Sequence, residues 1–195
     1  MQRTRLIALT TVAAAVLALG FAAPSFAGMN GMQARAEKTV QVGGAPMYPS
    51  KNIVQNAVNS KDHTTLVAAV KAAGLVDTLQ GPGPFTVFAP TDDAFAKLPP
   101  ETVEQLKTDA PLLNKILTYH VVAGRLTAAD IAAQAQANGG TATLKTVQGE
   151  ELKVSAGPNN TWVITDAKGG KSTITQADVG QSNGVVHVVD TVLMP

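Results

Sequence analysis

Three histidines, His63, His120 and His187, are the side chains best suited to hold a metal or move a proton near neutral pH. Their spacing argues against a shared task, because no two stand at the i, i+4 separation or at any other metal-ligand spacing. The chain has no cysteine. That removes thiol nucleophiles, cysteine-ligated zinc and redox pairs. No Gly-x-Ser-x-Gly turn presents a serine. Gly81-Pro82-Gly83-Pro84 carries too much proline to offer a row of N–H groups to a phosphate, and no Lys-Ser or Lys-Thr follows it. Asp92 and Asp93 are adjacent at a helix start and point in different directions. No nucleophile, base and orienting group fall into a set. The expectation is a protein that is not an enzyme and has no metal or cofactor, its polar side chains serving architecture or binding.

The elements that position these residues follow from the hydrophobic periods. The first half reads as helical. A short helix is expected over 52–58. Asp62 is placed to cap the next, whose stripe is Leu66, Val67, Val70 and Ala73 and whose end is Gly74. Phe85 to Ala89 reads as a buried strand stopped by Pro90. Thr91 then caps a short helix with Asp92 and Asp93 in its first turn, where the dipole favours anions, and with Phe95 facing inward. Pro100 and Pro111 mark two further helix starts. Tyr119 to Ala123 reads as extended, and Thr127 caps an Ala-rich helix over 128–137. Beyond Asn138-Gly139-Gly140 the period becomes alternating. Strands are expected over 141–146, 151–156, 161–165, 172–175 and 184–189. Asn183-Gly184 reads as a turn entering the last strand, which is apolar on both faces and therefore central. Helices first and antiparallel hairpins second make an α+β pattern. His120 is expected to be buried with a polar partner, in the Thr91-Asp92-Asp93 corner. Asp178 reads as a turn acid before a strand.

The ends of the chain bear on compartment. Arg3 and Arg5 precede an apolar run over 6–23, and Ser25-Phe26-Ala27 supplies small residues for cleavage. That order is the pattern of a signal peptide over 1–27. A membrane anchor is the other reading of a run this long. Residues 28–49, with Gly43-Gly44, Pro46 and Pro49, read as a flexible leader, and 50–195 as one folded domain. Removing Arg3 and Arg5 leaves 13 Lys and Arg against 14 Asp and Glu, a net charge of −1. Without a basic excess, nucleic acid is not an expected partner. No later segment is apolar enough to span a membrane. A cysteine-free exported chain of this length holds its fold by core burial alone.

Three segments in order carry a family resemblance. They are GPFTVFAPTDDAFAKLP from Gly83 to Pro99, ILTYHVVAGRL from Ile116 to Leu126, and SNGVVHVVDTVLMP from Ser182 to Pro195. They resemble the first box, the central Tyr-His segment and the second box of the fasciclin (FAS1) family, and the resemblance covers about 52–195. It implies a wedge of two packed, mainly antiparallel β-sheets flanked by helices. Phe85, Phe88, Pro90, Thr91, Asp92, Phe95, Asn183, Gly184 and His187 are the motif positions expected to build that fold. The resemblance also implies a secreted module, periplasmic or extracellular, for cell adhesion or matrix interaction. Its partner would be a protein or a polysaccharide of the cell surface, and the module is expected to be a monomer. Tyr119-His120 and Asp178-Val179 match segments implicated in adhesion in animal members, the second only in part, since Val179 stands where those members carry isoleucine. The alternative implied by the resemblance is a carrier of an apolar small molecule such as a carotenoid, with the helix over 128–137 lining the groove.

Overall fold

The computed structural model describes residues 38–195. The expected signal peptide and the first part of the expected leader lie outside these residues. The chain opens with a hairpin, β1 (Val40–Val42) and β2 (Ala45–Met47). Helices α1 (Ile53–Ala57), α2 (Thr64–Ala72) and α3 (Val76–Gln80) follow, with a 3-10 turn at Lys61–His63 before α2. Next come β3 (Phe85–Pro90), α4 (Asp92–Ala96), α5 (Pro100–Thr108), α6 (Ala110–Tyr119) and β4 (Val121–Ala123). Helix α7 (Ala128–Ala137) leads into β5 (Thr141–Lys145), β6 (Glu151–Ala156), β7 (Trp162–Thr165), β8 (Lys171–Gln181) and β9 (Gly184–Val189).

Seven strands form one ladder in the order β4-β3-β9-β8-β7-β6-β5. Every pair is antiparallel except β3 with β9, where Phe85 to Pro90 run beside Gly184 to Val189. The α+β class, the antiparallel bias and the concentration of helices in the first half are as expected. The two expected sheets are the arms of this one ladder. Val122 bridges Thr146, and the Val147 N–H donates to the Val121 carbonyl at 2.7 Å, so the ladder's ends meet and the sheet nearly closes. Between the arms lie Phe88, Val122, Val154, Ile164, Ile174 and Val189 in one apolar cluster. A second cluster lies under the helices, with Val54, Leu66, Val70, Phe95, Ile116 and Leu117 against Val87 and Ala89 of β3.

Gly184 works by close approach. A β-carbon there would stand 2.0 Å from the Phe85 carbonyl oxygen, so only glycine lets β9 enter beside β3 in this register. The helix starts are capped as their residue types suggest. Thr91 accepts from the Ala94 N–H, a cap worth about 1 kcal/mol against alanine. Asn52 and Thr127 each form a reciprocal capping box.

Four expectations are corrected. The leader does not extend to Pro49, because Val42, Ala45 and Met47 of the β1–β2 hairpin are buried against Val179 and Val188. Asp62 does not cap α2; it lies in the 3-10 turn, and the first α2 N–H groups are taken by Asp92. Tyr119 ends α6 rather than starting a strand, since the His120 N–H still reaches the Ile116 carbonyl. Strand β8 runs to Gln181, so Asp178 lies in a bulged strand and not in a turn before one.

Candidate functional site

The three histidines are all buried, at 4% exposure or less. Two of them bridge backbone groups in the same manner. His120 makes a 2.8 Å contact from Nδ1 to the Ile116 carbonyl, and its Nε2 accepts the Leu193 N–H at 3.0 Å. These partners set the neutral tautomer, with the proton on Nδ1. Burial pushes this imidazole down to about 4. The expected partner in the Thr91-Asp92-Asp93 corner is therefore corrected. His120 ties the end of α6 to the tail after β9. Asp166 reinforces that tie by accepting the Met194 N–H at 3.1 Å.

His187 repeats the scheme on β9. Its Nε2 contacts the Leu126 carbonyl at 2.9 Å and its Nδ1 accepts the Asp178 N–H at 3.3 Å. The ring stacks on Phe88 of β3 with centroids 5.6 Å apart. Burial lowers its pKa, opposed by the Leu126 carbonyl and by the Asp178 charge. His63 departs from the pattern. Its Nδ1 lies 2.8 Å from the Ser60 hydroxyl, while Nε2 is buried without a hydrogen bond, the Ala89 carbonyl standing near but outside hydrogen-bond geometry. Burial lowers the His63 pKa, and the Ala89 carbonyl with Asp62 and Asp92 oppose it.

Two aspartates cap helices of other segments. Asp92 accepts from the Thr64 hydroxyl at 2.6 Å and from the Thr65 N–H at 2.8 Å, which anchors the start of α2 to the start of α4. Its partial burial would raise the carboxyl, but these donors hold it below the usual carboxylate range. Asp178 accepts the Ala128 N–H at 2.7 Å at the start of α7. It does so from a left-handed backbone at φ 59, within the bulge between Gln176 and Val179. Asn183 plays a similar part: its side chain accepts the Ile53 N–H and donates to the Leu79 and Gly81 carbonyls.

The sequence candidates thus divide. Tyr119 is fully buried, accepting the Ala167 N–H at 2.9 Å; burial raises its hydroxyl pKa, with the Ala167 N–H opposing. Tyr119, His120 and Val179 present no surface to a partner, which corrects their reading as contact residues. Asp178 is exposed. Around it, exposed Arg125 approaches the β8 bulge, its Nη2 3.9 Å from where a Gly180 β-carbon would stand. The Ile116–Leu126 segment, which carries Arg125, and the Asp178-Val179 segment are therefore brought to one rim by His187. The α7 groove expected for an apolar ligand is absent, because Ile131 and Ala135 are buried in the cluster between the sheet arms. An apolar cavity lies instead beneath α1, α2 and α3, beside His63. His63 and that cavity had no sequence signal, since both depend on contacts distant along the chain. Among the described residues no group of three or more His, Asp or Glu is placed to hold a metal ion. No helix among them is long and apolar enough to cross a membrane.

Polar side chains spent on tying backbone to backbone, around a sheet that nearly closes on itself, define a scaffold domain with an exposed rim. The comparisons give that scaffold its family. The fasciclin domain family matches residues 61–195, and this chain belongs to it. Protein sll1483 of Synechocystis is 45% identical over 163 residues, covering 82% of each chain. The immunogenic protein MPB70 of Mycobacterium bovis is 40% identical over 144 residues, covering 71% of this chain and 66% of that one. The cell surface glycolipoprotein MPB83 of the same species is 41% identical over 144 residues, and the chain spans 58% of its length. Among solved structures, the FAS1 domain pair of the insect cell adhesion molecule fasciclin I aligns with a TM-score of 0.68 at 19% identity, over 82% of this chain and 59% of that one. That likeness carries the fold. No catalytic family appears among these matches.

Proposed function

We propose that this chain is an exported, non-catalytic adhesion module that binds a protein or polysaccharide of the cell envelope or surrounding matrix. The contact is made through the rim formed by Arg125 with Gln176 and Asp178. The single observation that supports the rim is its construction. Two stretches far apart in sequence are held together by a buried histidine and a helix-capping carboxylate, while Arg125 and Asp178 stay exposed. Membership of the fasciclin family and the surface location in the name of the MPB83 relative support the setting. An exposed guanidinium and an exposed carboxylate on one rim suit a polar partner, since arginine is favoured where interfaces depend on planar hydrogen bonding.

The test is binding of the purified protein to cell-envelope material, wild type against Arg125→Glu. The variant should lose at least about tenfold in affinity with its melting temperature unchanged. Equal binding by both proteins would remove the rim from the reading. No binding by the wild type at micromolar concentration would remove adhesion itself.

A further inference from the structure

The cavity beneath α1, α2 and α3 measures about 60 Å³. Its walls are largely hydrocarbon, from Val54, Leu66, Val70 and Leu79 on the helices and from Val87 and Val186 on the sheet. One further wall comes from the β1–β2 hairpin, through Val42 and Met47. The hairpin turn is seated directly on the Ser60–His63 pair, since a β-carbon on Gly43 would fall 2.3 Å from the Ser60 hydroxyl oxygen. His63 lines this space at 4% exposure, its Nε2 without a hydrogen bond and the Ala89 carbonyl near it but outside hydrogen-bond geometry.

Such an atom asks for an explanation, because buried polar groups are nearly always partnered. Water is a poor partner here. A buried water makes about three hydrogen bonds. The other buried polar side chains on the wall are already engaged: Ser60 with His63 Nδ1, Asn56 with Gln181 and the Tyr48 carbonyl, and His120 with Ile116 and Leu193. The size also exceeds one water, which needs roughly 10–15 Å³, so there is room for about four heavy atoms. The polar end of an occupant must suit either tautomer of His63, and a hydroxyl both donates and accepts. A carboxylate does not suit, because the Asp62 and Asp92 charges already bear on this ring.

We propose that this cavity binds the hydroxyl-bearing end of a small apolar molecule, with the hydroxyl on His63 Nε2 and about four heavy atoms enclosed. The site is separate from the adhesion rim. It holds too little volume to enclose a carotenoid.

The probe is 1-butanol, titrated into the intact protein while the histidine ring nitrogens are followed by NMR. Pentane-saturated buffer serves as the apolar control of equal size. A saturable shift of the His63 Nε2 resonance is expected, with the His120 and His187 rings unmoved and butanol preferred over pentane by about tenfold. Val70→Phe, which fills the cavity and leaves His63 in place, should weaken butanol binding by at least about tenfold. Val70→Leu is the milder filling if the larger ring prevents folding, and should weaken binding about threefold. His63→Phe should abolish the preference for butanol. A ring resonance that stays fixed into the tens of millimolar, a shift that saturates equally in the cavity-filled variants, or equal binding of butanol and pentane to the wild type would overturn the proposal. A His63 Nε2 signal explained by a resident water alone would overturn it too.

Discussion

His120 and His63 lie at nearly the same depth, at 2% and 4% exposure, yet the chain treats them in opposite ways. Around His120 both ring nitrogens are used: Nδ1 on the Ile116 carbonyl one helical turn back, and Nε2 on the Leu193 N–H, which joins the end of α6 to the tail. Around His63 one nitrogen is used locally, on Ser60 three residues away, and the other makes no hydrogen bond, with the Ala89 carbonyl close by. The lesson is that depth alone does not make a buried polar group structural. What does is whether its partners are distant in sequence. The tail corner is a clasp, and the helical corner is a site with something left over.

The largest effect should come from opening the clasp. His120→Ala removes a fully buried ring and strands the Leu193 N–H, which together cost about 3–4 kcal/mol. Calorimetry should show a fall in melting temperature on the order of 10 °C. A fall of less than about 2 °C would erase the distinction between the two histidines.

Acid should act on the same corner with slightly smaller force. The folded-state pKa of His120, about 4, is below its unfolded value near 6.5, so the unfolded chain binds a proton that the folded chain refuses. The stability is fully present above pH 6.5 and is lost as pH falls toward 4, a change on the order of 3 kcal/mol. His187 and His63 are shifted in the same direction and steepen the same limb. Denaturant midpoints measured between pH 7 and pH 4 should fall monotonically. A flat profile would show that the rings are hydrated in solution.

Next in size is Asp92→Ala, which uncaps α2 from across the chain and should cost about 1–2 kcal/mol by chemical denaturation. Thr64 and Thr65 amide protons should exchange faster in that variant. The smallest effect belongs to His63→Phe, expected within about 1 kcal/mol of wild type in either direction. A loss as large as that of His120→Ala would make His63 a clasp after all.

The sequence disclosed the elements better than their ties. Strands β6 and β9 and helix α7 were legible to the residue, because each carries a clear period between strong turn or cap signals. The β1–β2 hairpin was missed although its signal was present. Gly43-Gly44 separates two short alternating segments, and both glycines have positive φ, as a two-residue hairpin turn requires. Strands of three residues give periodicity too little length to register. Asp92 was read correctly as a first-turn acid, but its acceptor role is for α2, 27 and 28 positions back in the chain. The His120 partner is 73 positions away. No local pattern carries such a pairing. Asp178 was read as a turn residue because aspartate favours turns. Its left-handed backbone is real, but it arises from a bulge set by the register with β9. The two segments of the rim were each legible as motifs and became one place only when His187 joined them.

The pairing of β3 with β9 also governs when this protein can come into being. The first strand of the main ladder has no neighbour on that side until about a hundred further residues have been made, for its partner is the last strand of the ladder. A chain still held at Val189 by the ribosome or by an export channel exposes the flank of β3 and leaves both apolar clusters unsealed. Such long-range closure makes for slow, late assembly. That timing fits the export proposed above, which needs a chain still unfolded when it crosses the membrane.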